Sequence, residues 1–510
     1  MPRLKVHSKK LEPTTRYVLA PTKAGEICGN LGSLENRIPW YIWAALALVV
    51  ARLWIQPMFS SFWLDETGTA LLVKGTFAEM LQRSTRWVGQ PTFYMALVWP
   101  FSQLPGPREV ILRFPSLIGM AIAAVFVYRI GRKLLNVESG ANACLIFAAL
   151  ASYYASDARP YALGLMTASG AILFLIRWTQ EGRWMDALAY SIFASLTVYF
   201  HFLFSVIFLA HAAYLVSRRA QRIQMAAGVA IIAALLAPLA PALLRVLAAQ
   251  SGLTFISKPR LASIVLDSFP DSFYAFVVVG LLVVAILPME ARFSRPRIAP
   301  EVWLLLAWAT VPVVALYLAS YRTPVLLPRY FSIALPGLAL STAWVIGNIQ
   351  PATARRLIVL SIVVGAILDK GGSLTKFRHS NQDWRGAMAA VRTITENDPG
   401  MVVLARSWFI ESASPETFAD PTQAQFLLAP QSAYPAPGIP IPLPIYADGR
   451  ALDRLESIVS SGVLENRFIL VSSNDDNRYQ MWLRGRLGSS FSGVSLGRFG
   501  TVSVELFTHN

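Results

Sequence analysis

Charge is scarce in this sequence: Asp, Glu, Lys and Arg make up 15% of its 510 residues, against about 25% in an ordinary soluble domain. With 55% hydrophobic residues, that scarcity points to a chain embedded in a membrane. Cysteine is nearly missing too. Cys28 lies in a polar tail and Cys144 in an apolar run, so neither a disulfide framework nor a thiolate metal site is expected. There is no P-loop lysine motif, no dinucleotide glycine fingerprint between strand and helix, and no zinc-protease helix. ATP-driven chemistry therefore has no support. No repeat of solenoid period is present. Residues 1–39 hold no apolar core of a signal peptide, so the first apolar run is expected to act as its own anchor.

What the sequence does have is long apolar runs. A spanning helix needs about 20 mainly apolar residues. Runs near 40–58, 109–130, 139–155, 160–178, 187–200, 202–217, 224–247, 272–290, 301–319, 329–347 and 357–369 read as about eleven spans. The pair between 187 and 217 is short and open to another division. The run from Pro91 to Leu104 is shorter still, more typical of an interfacial or re-entrant helix.

A formal net charge of +16 would suggest nucleic acid in a soluble protein. Here the basic residues sit between apolar runs, so a lipid bilayer is the expected partner and nucleic acid is not. Lys and Arg collect on the cytoplasmic side. With the basic tail 1–39 inside and 91–104 not crossing, the inside connections hold Arg129, Arg132 and Lys133; Arg177 and Arg183; Arg218, Arg219 and Arg222; Arg292, Arg295 and Arg297; and Arg355 and Arg356. If 91–104 crossed, every later connection would invert and the rule would fail. The expected fold is thus a polytopic α-helical membrane protein with in-plane helices in its first outer loop. That parity puts Asp65, Glu66, Asp157, His201, Asp267, Asp271, Arg322, Arg329 and the whole of 371–510 outside.

Residues 371–510 change character. Helix-like 383–394 and 450–461 alternate with strand-like 401–405 and 467–473, and 499–507 reads as a further strand. The pattern predicts a small C-terminal α/β domain. The stretch 428–447, with six prolines, reads as a loop.

Several outside residues are candidates for chemistry. Asp65 and Glu66 follow the first span directly and are placed to act as a base or metal ligand; a solvated acidic pair beside the interfacial Trp63 is the plainer alternative. Asp157 and Arg159 share a tight connection between two apolar runs, where charges are paired or functional. An ion pair closing the turn, with Pro160 starting the next helix, explains them equally well. His201 lies among Tyr199, Phe200 and Phe202, as a packing residue or a binding one. Arg322, Arg329 and Tyr330 stand where a run begins on the outside. Arginine there suits a phosphate, through its planar fork, or snorkels to lipid headgroups. Lys258 and Arg260 allow a similar reading.

In this order, the words WLDETGTALL (63–72), QPTFYMALVW (90–99), LRFPSLIG (112–119), YYASDARPYAL (153–163), VYFHFLF (198–204), LPRYFSIALPGLAL (327–340) and DWRGAMAAV (383–391) resemble the GT-C superfamily of polyprenyl-phosphate-sugar-dependent glycosyltransferases. The resemblance is to bacterial members similar to protein O-mannosyltransferases and the lipid A aminoarabinose transferase. It implies a bacterial inner-membrane enzyme with its active site and C-terminal domain periplasmic. The implied donor is a sugar on polyprenyl phosphate, and the acceptor a lipid, glycan or protein. Asp65 matches the acid that positions or deprotonates the acceptor, with Glu66 its neighbour. Asp157 stands where the family usually has glutamate, one methylene longer, and Arg159 and Tyr161 match the same word. His201 matches a histidine of the bacterial branch, but Phe202 stands where tyrosine often follows. Arg329 and Tyr330 match the pair near the lipid phosphate, with Arg322 as a further phosphate contact. Some members use a divalent metal, so Mg2+ or Mn2+ on Asp65 and Asp157 is a further expectation.

Two other classes fit parts of this pattern. A flippase or transporter of lipid-linked sugars also needs outer-face arginines, but paired halves and broken midplane helices are not evident. An assembly protein that binds a partner through its α/β tail would leave Asp65 and Asp157 replaceable.

Overall fold

The computed structural model describes residues 38–86, 92–217, 222–248, 260, 262, 271–286, 292–293, 300–323, 325, 327–370 and 381–510. The tail expected inside, and Arg218, Arg219, Lys258, Asp267, Arg295 and Arg297, lie outside the described residues.

Apolar runs become helices because a backbone in lipid must satisfy its own N–H and C=O groups. The described parts of the expected spans are mainly helical, and among the described residues six helices are long and apolar enough to cross a membrane: Trp40–Phe59, Arg108–Leu134, Tyr161–Glu181, Ile223–Val246, Pro300–Ala319 and Pro328–Gly347. Their ends carry ordinary stop signals. The Asn136 side chain accepts from Ser139 N at 2.7 Å to start Val137–Leu150, and Gly182 closes Tyr161–Glu181 in the left-handed conformation (φ 68°). Trp40, Val216, Ile223 and Val229 are all more than 60% exposed, an outward apolar surface that suits lipid rather than water. Inside, helices approach closely where side chains are absent: a Cβ on Gly131 would sit 2.7 Å from Gly140 Cα.

The run expected not to cross forms the helix Thr92–Ser102, about 17 Å long at 1.5 Å per residue. That is too short for a 30 Å core. It follows the amphipathic helix Phe77–Arg86, which exposes Phe77 and Leu81 beside Arg83 and Arg86.

The only ladder among the described residues of the helical part joins β1 (Arg292–Phe293) to β2 (Ile349–Gln350). Beyond residue 380 the chain builds a sheet from β3 (Val402–Arg406), β4 (Ile439–Leu443), β5 (Arg467–Ser473), β6 (Phe491–Phe499) and β7 (Val502–His509) in the order β4-β3-β5-β7-β6. The β3/β4 and β3/β5 pairs are parallel, and the β5/β7 and β6/β7 pairs antiparallel. Alternation sets the two faces. Val403, Ile469 and Val471 pack under the helix Trp384–Thr395. Val402, Leu404, Phe468 and Leu470 pack against Leu455 and Leu483 on the other side.

Two local expectations are corrected. The proline-rich stretch is not simply a loop: it contains the helix Ala429–Ala433 and the strand β4. Pro440 and Pro442 are tolerated because β4 is an edge strand and alternate residues need no donor to a neighbour. The strand expected at 499–507 starts later, as β7 from Val502, because Phe499 ends β6 and a turn at Gly500 (φ 69°) separates the two.

The sheet unit rests on the segment between the helices Trp40–Phe59 and Arg108–Leu134. Phe409, Phe426 and Leu427 share a buried cluster with Phe62, Leu71, Tyr94 and Leu112, and a Cβ on Gly68 would come within 3.0 Å of the Phe426 ring.

Candidate active site

The helix Trp40–Phe59 passes from α through π to 3-10 geometry and ends at an extended Ser60, and the chain re-enters a helix at Leu64. Asp65 and Glu66 sit in the first turn of this Leu64–Leu72 helix, where the positive end of the dipole favours carboxylates. The two then part. Glu66 turns inward and is wholly buried. Arg113 donates to it twice, Nε to Oε1 at 2.7 Å and Nη2 to Oε2 at 2.5 Å. Ala158 N donates to Oε1 at 2.7 Å and Trp63 N to Oε2 at 3.1 Å. Arg113 donates further to the carbonyls of Pro57, Met58, Ser60 and Ser61.

Asp65 points the other way, with 17% of its side chain exposed. Its Oδ2 lies 3.5 Å from Arg159 Nη2 and 3.5 Å from Arg329 Nη1. Two guanidinium groups facing one carboxylate leave a net positive charge at a partly open position. Asp157 is buried, and its Oδ1 accepts from the Trp63 indole Nε1 at 3.0 Å. Burial pushes its carboxyl up from 3.8 to about 7, against the opposing pull of the Trp63 hydrogen bond.

Aromatic rings wall the cluster. Arg329 lies 5.9 Å from the Trp63 ring and 5.6 Å from that of Tyr330. His201 contacts Tyr161 at 5.3 Å, Tyr330 at 5.2 Å and Phe204 at 4.7 Å between ring centroids. Asp65, Glu66, Asp157, Arg159, Tyr161, His201, Arg329 and Tyr330 thus converge from four separate stretches of chain. Arg322 does not join them. It lies exposed in the turn after Pro300–Ala319, and among the described residues the cations paired with Asp65 are Arg159 and Arg329.

Among the described residues no group of three or more His, Cys, Asp or Glu side chains could hold a metal ion. The expected pair fits a resident Mg2+ or Mn2+ poorly: Asp65 already faces two guanidinium groups and Asp157 an indole donor, whereas these ions need several oxygen ligands.

Other residues of this region were not singled out from sequence. Arg113 stands in the quoted word LRFPSLIG, and an arginine within an apolar run is itself a signal. Glu109 accepts from Arg385 Nε at 3.0 Å and from Tyr434 Oη at 2.7 Å. Gln382 Oε1 accepts from Leu64 N at 2.8 Å. These contacts join residues hundreds of positions apart, and no local pattern announces them.

Residues 89–244 match the model of the family described as dolichyl-phosphate-mannose-protein mannosyltransferase. Among curated proteins no sequence matches. Among solved structures, ArnT from Cupriavidus metallidurans in the apo state is similar with a TM-score of 0.54 and 13% identity, covering 91% of this chain and 97% of that one. The same enzyme bound to undecaprenyl phosphate gives 0.53 and 14%, over 91% and 98%. The oligosaccharyltransferase of Archaeoglobus fulgidus, in complex with Zn and sulfate, aligns more loosely, at 0.45 and 12% over 90% and 72%. The family match within the helical part and a common architecture over nine-tenths of the chain agree with the resemblance carried by its motifs: this protein shares the fold of ArnT.

Proposed function

We propose that the protein is a membrane glycosyltransferase that moves a sugar from a polyprenyl-phosphate donor to an acceptor hydroxyl on the periplasmic side of a bacterial inner membrane. The observation that carries this reading is Asp65, held partly open between Arg159 and Arg329 at 3.5 Å from each. A carboxylate beside two cations suits a reaction that takes up a proton and releases a phosphate. The undecaprenyl phosphate bound to the similar ArnT supports a polyprenyl phosphate as the lipid.

In this mechanism the acceptor oxygen attacks the anomeric carbon, and its proton passes to Asp65. The bond from that carbon to the phosphate oxygen breaks, and its electron pair leaves with the polyprenyl phosphate. A single displacement inverts the anomeric centre. Arg329 and Arg159 stabilise the charge developing on the leaving phosphate. Tyr161, His201 and Tyr330 form the wall against which donor and sugar lie. Asp157 orients Trp63, and Glu66, tied to Arg113, fixes the turn from which Asp65 projects; neither needs to touch substrate. Arg322, outside the cluster, is left out of the chemistry. The acceptor is a lipid, glycan or protein, and the working arrangement is a cytoplasmic tail 1–39, a membrane domain 40–370 and a periplasmic domain 371–510.

The test is incubation of purified protein with a panel of polyprenyl-phosphate sugars, with the released or transferred sugar read by mass spectrometry. Turnover of at least one donor is expected. Movement of an intact lipid-linked sugar across vesicles without cleavage would favour the flippase instead.

A further inference from the structure

The stretch that carries Asp65 is held from two sides. From the membrane side Arg113 gathers the carbonyls of Pro57, Met58, Ser60 and Ser61. From the sheet unit, three side chains reach the same stretch. Arg385 Nη2 donates to Phe59 O at 3.2 Å, while Arg385 N donates to Ser61 Oγ at 3.0 Å. Tyr434 Oη accepts from Phe62 N at 2.9 Å, and donates to Glu109, the carboxylate that also pairs with Arg385. Gln382 Oε1 accepts from Leu64 N at 2.8 Å and from Trp384 Nε1 at 3.3 Å.

The last contact is the telling one. Leu64 is the first residue of the Leu64–Leu72 helix, and its N–H is one of the donors a helix leaves without an internal partner. The residue before it, Trp63, supplies no side-chain cap. The cap comes instead from Gln382, in a different unit of the fold and 318 positions away. Asp65 is the next residue. Its direction therefore depends on where the sheet unit docks.

We infer that Gln382, Arg385 and Tyr434 are positioning residues for Asp65, so that the C-terminal sheet unit completes the active site by fixing the first turn of the Leu64–Leu72 helix. This rests on the reading of Asp65 as the proton acceptor. The unit needs no contact with substrate for this role. It sets the Asp65 carboxylate against Arg159 and Arg329, and an error of about 1 Å at such a group can cost roughly 100-fold in rate.

The test uses the full chain in detergent with Gln382→Leu, Gln382→Glu and Tyr434→Phe, and two independent readouts. One is hydrogen exchange of peptides covering 59–68, followed by mass spectrometry. The other is kcat and KM for a donor that the unsubstituted protein turns over in the polyprenyl-phosphate panel. Gln382→Leu and Tyr434→Phe should speed exchange in that stretch alone and lower kcat about 10- to 100-fold with KM little changed. Gln382→Glu keeps an acceptor for Leu64 N and should restore both. Unchanged exchange, exchange raised along the whole chain, unaltered kcat, or no rescue by glutamate overturns the inference. If the unsubstituted protein turns over no donor, the functional reading fails by itself. The exchange data still decide whether the sheet unit holds the turn.

Discussion

Glu66 and Arg113 form an ion pair of 2.5 Å with both side chains fully buried, beneath the partly exposed Asp65. Adjacent carboxylates in one helical turn are thus placed oppositely: one is sealed into the scaffold and its neighbour is partly exposed. Removing one partner of such a pair leaves a bare buried charge, at a cost of about 3–5 kcal/mol. Arg113→Met should therefore lower the thermal unfolding midpoint of the detergent-purified protein sharply. Arg322→Ala, an exposed control, should leave it within error.

Asp157 gives stability a pH dependence of known sign. Its carboxyl holds a proton more tightly in the fold, at about 7, than its ordinary 3.8. Between those values the folded state binds more protons than the unfolded one, so this group's contribution falls as pH rises through the window and is flat above it. Unfolding midpoints measured from pH 5 to pH 8 should fall less in Asp157→Asn than in the unsubstituted chain. Equal slopes in the two proteins would contradict the assignment.

Arg329 should matter to lipid-phosphate binding through its fork as well as its charge. Loss of a charge-assisted hydrogen bond is worth about 1.5–3 kcal/mol, so Arg329→Lys should weaken binding of undecaprenyl phosphate by at least about tenfold. Binding can be followed by native mass spectrometry. Arg322→Ala should bind as well as the unsubstituted protein.

Orientation can be read with an impermeant maleimide on intact cells. Ala413 lies exposed in the unit that covers the Asp65 turn, and Arg132 is exposed at the far end of Arg108–Leu134. Ala413→Cys should label from outside and Arg132→Cys only after lysis. The reverse pattern would put the Asp65 cluster in the cytoplasm.

Much of this was legible in the sequence because lipid imposes simple rules. Apolar runs had to be helices, and the run at 91–104 was too short to cross. Asp65, Asp157 and Arg329 stood out as charges beside such runs. Arg113 shows in the sequence only as an arginine within an apolar run, because its role is tertiary: it answers Glu66 and four carbonyls of the 57–61 stretch. The prolines of β4 give it a loop-like sequence, and they are permitted only by its place at the sheet edge, which is a property of the whole sheet. β6, with Gly493 and Gly497 among small residues, has too weak a strand pattern to read alone. Gln382, Arg385 and Tyr434 meet partners hundreds of positions away, and no local pattern announces those contacts.

The proposed transfer turns on Asp65 as the group that takes the acceptor's proton, and replacing its charge without its shape tests that most directly. Asp65→Asn, assayed with a polyprenyl-phosphate sugar that the unsubstituted protein turns over, should lose turnover by roughly 100-fold or more. It should still fold and still bind undecaprenyl phosphate. Full turnover by a folded Asp65→Asn protein would contradict the account.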